Sequence, residues 1–118
     1  MSQVLNDFQI GTKDKIEKIF SAEGAKAPVF DVLGVKEVRL YTILPEKGIE
    51  IFIYDDGAQF FGEKVDRRFE APDYDTLDEM SNDFVKTLDN FLFHPERYIE
   101  PRTIFRMIKE FFQRKSNK

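Results

Sequence analysis

Apolar and polar positions alternate with a period of two from Glu37 onward, which predicts a sheet in this part of the chain. In EVRLYTIL, Val38, Leu40, Thr42 and Leu44 share one side, while Arg39, Tyr41 and Ile43 share the other. The next run sets Ile49, Ile51 and Ile53 against Glu50, Phe52 and Tyr54, with the short loop PEKG in between. Two pairing rules fix the register. Leu44 lies opposite Ile49, and Asp56-Gly57 forms a two-residue type I′ turn that pairs Asp55 with Ala58. Counting outward gives a three-stranded antiparallel meander over about residues 37–65. One face carries the rows Leu40/Ile53/Phe60 and Thr42/Ile51/Gly62. The other carries Tyr41/Phe52/Phe61, flanked by Arg39/Tyr54/Gln59 and by Ile43/Glu50/Glu63.

Around this meander the period lengthens to that of helices. Val4, Leu5 and Phe8 form a short apolar patch that Gly11 can end. Thr12 can then cap a second helix burying Ile16, Ile19 and Phe20 and stopping at Gly24. Pro28 suits the first position of a brief helix through Val29, Phe30, Val32 and Leu33, with Gly34 as its left-handed terminator. The polar stretch DRRFEAPDYD, which contains Pro72, reads as a loop. Thr76 and Glu79 form a capping box ahead of Leu77, Met80, Phe84, Leu88, Phe91 and Leu92, a helical stripe that His94-Pro95 ends. A last helix starts near Pro101 and buries Ile104, Ile108, Phe111 and Phe112. The expectation is one α+β domain over residues 1–118: N-terminal helices, the meander, and two C-terminal helices packed on the sheet.

Composition narrows the chemistry. At 118 residues the chain suffices for one core without covalent staples. It contains no cysteine, which removes disulfides, thiolate metal sites and cysteine nucleophiles together. No basic leader with an apolar run opens the sequence, and no stretch of about 18 apolar residues occurs, so a cytoplasmic protein outside the membrane is expected. The net charge of −4 is unevenly spread. Residues 46–90 hold 5 basic and 13 acidic side chains, whereas residues 91–118 hold 7 and 3. An acidic middle and a basic tail suit different partners.

Two surfaces stand out as candidate contact sites. Tyr41, Phe52, Tyr54 and Phe61 form an aromatic face that a helix, a second copy of the chain or a flat ligand can cover. Glu50, Glu63, Asp55 and Asp56 around it disfavour nucleic acid, because phosphate binding needs a basic track. Arg102, Arg106 and Lys109 share one side of the last predicted helix and could meet phosphates or an acidic protein surface. In the acidic run DYDTLDEMSND, Asp78 stands where a calcium loop starting at Asp73 needs glycine, and Phe84 where it needs glutamate. Helix-start preference accounts for Asp78 and Glu79 without a metal. The single histidine, His94, lies in a predicted turn with no acid or nucleophile assigned to it. No nucleophile elbow, phosphate loop or dinucleotide fingerprint is present. The sequence therefore points to a non-catalytic binding or adaptor protein without metal or cofactor, acting through protein contacts or as a homodimer. The alternative is a nucleic-acid accessory protein using the basic helix.

Overall fold

A computed structural model of the protein describes residues 5–99. In chain order it comprises α1 (Asp7–Ala22), β1 (Asp31–Leu33), β2 (Arg39–Leu44), β3 (Ile49–Ile53), β4 (Gly57–Gly62), β5 (Asp66–Glu70) and α2 (Leu77–Phe93). Short 3-10 turns at Ala71–Asp73 and Pro95–Arg97 flank α2. The arrangement is α+β as expected, but the antiparallel sheet has five strands in sequential order rather than three. The helix expected to begin near Pro101 lies outside the described residues. None of the described helices is long and apolar enough to cross a membrane.

The N-terminal helix is continuous, not broken at Gly11. Phe8, Thr12, Ile16 and Phe20 recur every four residues and are all buried, and the interior glycine costs only about 1 kcal/mol against that stripe. Its cap is Asn6, whose side chain accepts from the Gln9 amide while the Gln9 side chain accepts from the Asn6 amide, both at 2.9 Å. Thr12, expected as a cap, instead forms a buried 2.7 Å hydrogen bond with Ser81 of α2. At the other end the Ala25 amide donates to the Phe20 carbonyl and the Gly24 amide to Ser21, with Gly24 at φ +66°. This is a Schellman ending, and it fixes Glu23 as the C-cap.

Two segments read as helix and loop are strands. Val32 pairs with Leu40 and Asp31 with Tyr41, so the segment after Pro28 extends the sheet as β1. Val29, Phe30, Val32 and Leu33 satisfy a helical and an extended spacing alike, and pairing with β2 decides between them. DRRFE pairs with β4, Ala58 opposite Phe69 and Gln59 opposite Arg68. Its charges disguise it in the sequence, yet charged side chains suit an edge strand, where they discourage pairing with other chains.

Both expected pairings across the PEKG loop occur, with Leu44 opposite Ile49 and Tyr41 opposite Phe52. The next hairpin is displaced by two residues. Asp55-Asp56 is the turn, the Tyr54 amide donates to the Gly57 carbonyl at 2.8 Å, and Ile53 pairs with Ala58. Phe60 therefore faces Ile51 rather than Ile53, and Gln59 rather than Phe61 faces Phe52. A shift of two leaves every side chain on its expected face. Gly57 is needed for another reason: a Cβ there would stand 2.9 Å from the Phe69 carbonyl oxygen of β5.

Both helices pack on one face of the sheet. Leu40, Ile49, Ile51, Ile53, Ala58, Phe60 and Phe69 are buried under Phe8, Ile16, Met80, Phe84, Leu88 and Leu92. Phe84 sits at the centre, tilted against Phe60 at 6.0 Å and edge-on to Phe69 at 5.3 Å between ring centroids. Buried Gln9 joins the layers by donating to the carbonyls of Val38 at 2.8 Å and Ile53 at 3.3 Å.

Candidate functional site

The opposite face of the sheet has no helix over it among the described residues. Alternation along β2, β3 and β4 sends Tyr41, Phe52, Tyr54 and Phe61 there, and all four are half-buried. Phe52 is the hub of the group. Its ring lies 4.8 Å from Tyr41, 5.8 Å from Tyr54 and 6.0 Å from Phe61, and is close to parallel with the last two. These rings shield one another, which explains their intermediate exposure. The displaced hairpin makes Phe52 and Phe61 diagonal neighbours, a separation that aromatic side chains still bridge. Ile43, on the same face, is 52% exposed and extends the apolar strip.

Several polar groups around the strip already have partners. Tyr41 donates to Glu50 at 2.7 Å, and Gln59 donates to Asp66 at 2.9 Å. The hydrogen bond to Glu50, some desolvation, and the charges of Glu50 and Asp31 together raise the Tyr41 phenol above the ordinary tyrosine range. Beyond Tyr54, an open cleft of about 420 Å³ lies between the Asp55-Asp56 turn and β5, bordered by Asp56, Arg68, Glu70 and Pro72. Carboxylates crowd this end, and the charge of Asp55 and its hydrogen bond raise the Asp56 carboxyl above its usual range.

The face is thus aromatic at its centre and mixed in charge at its rim. Asp31, Glu50, Asp66 and Glu70 outnumber Arg39 and Arg68 on the strands that form it. Asp31, Arg68 and Glu70 escape a reading of the sequence because β1 and β5 escape it. The alternation of Arg68 with Phe69 is the one signal that could have placed Arg68 here. The basic residues Arg102, Arg106 and Lys109 lie outside the described residues.

The acidic run before α2 is tied into local structure. Thr76 caps the helix by accepting from the Glu79 amide at 3.1 Å, Asp78 pairs with Lys15 at 3.1 Å, and Asp83 accepts from the Tyr74 hydroxyl. Burial and that hydrogen bond push the Tyr74 phenol well above its ordinary range. His94, in contrast, is not the partnerless turn residue expected. It is the C-cap of α2, with Glu23, Asp89 and Glu96 around its ring. Glu23 is 71 residues away in sequence, so only the packing of α1 on α2 brings the two together. Comparison with protein-family models, with curated proteins and with solved structures finds no match to this chain.

Proposed function

We propose that this protein is a non-catalytic binding or adaptor protein whose contact surface is the aromatic sheet face, with a second copy of the same chain as its occupant. The observation that carries the reading is the strip around Phe52, which has no helix over it among the described residues. Contiguous apolar surface on a soluble protein marks contact sites far more often than bare solvent boundary. A rim with both signs of charge suits self-pairing, because a two-fold rotation can set Arg39 or Arg68 against Glu50 or Asp66 of the other copy. The same acidic excess disfavours phosphate ligands on this face.

Sedimentation of the full chain over a wide concentration range tests the proposal. The expected result is a monomer–dimer equilibrium that Phe52→Ala shifts to monomer while leaving the fold intact. A parent that stays monomeric throughout, with Phe52→Ala losing about 3–5 kcal/mol of stability, would instead mean that the strip is covered within one chain. The second reading, nucleic-acid binding through Arg102, Arg106 and Lys109, rests on the 7 basic against 3 acidic residues in 91–118. It requires affinity that falls steeply with salt and is lost in the Arg102→Ala, Arg106→Ala double variant.

A further inference from the structure

Both helices end badly for electrostatics. The C-terminal end of an α-helix carries partial negative charge on its free carbonyls, which favours a basic residue in the last turn. Neither α1 nor α2 has one. Glu23 caps α1, and Asp89 sits in the last turns of α2, so two carboxylates add to two negative helix ends. The ends also meet, since Phe20 of α1 packs edge-on against Phe93 of α2 at 5.1 Å.

We infer that Glu23, Asp89 and His94 form a binding site for a divalent transition-metal ion of the zinc class, clamping the C-terminal ends of the two helices together. One ligand atom from each lies within 4.8 Å of the others. His94 Nε2 is 3.2 Å from Glu23 Oε1 and 3.9 Å from Asp89 Oδ1. Ligand atoms around a tetrahedral zinc stand about 3.4 Å apart, so small rotations of three half-exposed side chains complete the set. The backbone holds two ligands in place: the Schellman ending positions Glu23, and the His94 amide donates to the Asn90 carbonyl at 3.0 Å. Glu96 Oε1 lies 4.0 Å from Nδ1, beyond hydrogen-bond length, so a rotation of its exposed side chain would be needed for it to orient a metal-bound imidazole. An imidazole with two carboxylates suits zinc, nickel or cobalt better than magnesium or calcium, which prefer oxygen ligands alone. A fourth coordination position is left for water. The ion also adds positive charge at two helix ends whose own last turns carry none, where Lys47, donating to the Leu92 carbonyl at 3.5 Å, serves the end of α2 alone.

The chain has one histidine and no cysteine, so the imidazole nitrogens report on this site without ambiguity. The experiment is a titration of the full ¹⁵N-labelled chain with zinc chloride at neutral pH, followed by the imidazole resonances and by calorimetry. One equivalent of zinc is expected to bind, shift the Nε2 signal and raise the melting temperature. Asp89→Asn and His94→Ala should each weaken binding more than about tenfold. Magnesium chloride at the same concentration should leave the imidazole signals in place. If His94→Ala fails to fold, Glu23→Gln gives the same readout from a side chain 36% exposed. Zinc that leaves the Nε2 resonance unmoved at excess, or affinity unchanged in Asp89→Asn and Glu23→Gln, would overturn the site and leave His94 as a neighbour of these carboxylates only.

Discussion

Two glycines in regular elements have opposite roles, which their surroundings make clear. Gly11 lies inside α1, and a Cβ built on it meets no atom within 4 Å. Gly62 ends β4 beside the PEKG loop, and a Cβ there would collide with the Gly48 carbonyl. Gly48 itself sits at φ +68°, the conformation that returns the chain from β2 to β3 in register. Gly11→Ala should therefore stabilise the protein by about 0.5–1 kcal/mol, because alanine costs less backbone entropy in a helix and nothing opposes its methyl. Gly62→Ala should destabilise it by about 1–3 kcal/mol, since backbone must move to admit the methyl. Urea midpoints measured side by side check both signs. A loss of stability in Gly11→Ala would mean that the open space a Cβ would enter there is filled.

At the scale of elements, α1 and α2 are joined by a buried polar contact as well as by apolar packing. Thr12 is fully buried and its hydroxyl meets that of Ser81, whereas Ser81 is also within 3.1 Å of the Lys15 ammonium. The two truncations should therefore differ. Ser81→Ala strands the Thr12 hydroxyl and should cost about 1–3 kcal/mol, while Thr12→Val leaves Ser81 its lysine and should cost less. Adding Thr12→Val to Ser81→Ala should recover stability, and a double-mutant cycle in urea would show that coupling. This contact also shows where the sequence is ambiguous. A threonine after a glycine resembles a helix cap, and only a partner 69 residues away turns it into a core residue. The stripe of α2 and the pairing of β2 with β3 are legible because period and loop length are local. β1 and β5 are not, since a three-residue strand has no resolvable period and a charged edge strand resembles a loop. The Asp56-Gly57 pair misleads for a related reason: its glycine answers the backbone of β5, a strand that alternation alone does not reveal. The aromatic face survives that error because a slip of two preserves facing, whereas the His94 cluster depends on tertiary packing and has no sequence signal.

For the whole molecule, the decisive feature is that the described helices lie on one side of the sheet. Ile51 and Phe52 are adjacent in β3 yet belong to different environments, the first fully buried beneath the helices and the second at the centre of the opposite aromatic strip. Their alanine variants separate intrachain burial from contact between copies. Ile51→Ala leaves a cavity in the core and should cost about 2–5 kcal/mol at every protein concentration. Phe52→Ala removes a ring that is half-buried within one chain and that, on the proposed function, the dimer buries further. Beyond a constant loss from the ring contacts within one chain, its effect should depend on mass action and grow with concentration, because a dimer stabilises its folded subunits only where it is populated. Melting temperatures of parent and both variants across a hundredfold range of concentration provide the test. The parent should climb with concentration, Ile51→Ala should climb in parallel at lower temperature, and Phe52→Ala should stay flat. Parallel curves for parent and Phe52→Ala would show that the ring does not contribute to self-association. A uniform large loss in Phe52→Ala would place it in the core of a single chain, so that the sheet is covered on both faces and the contact surface must be sought elsewhere.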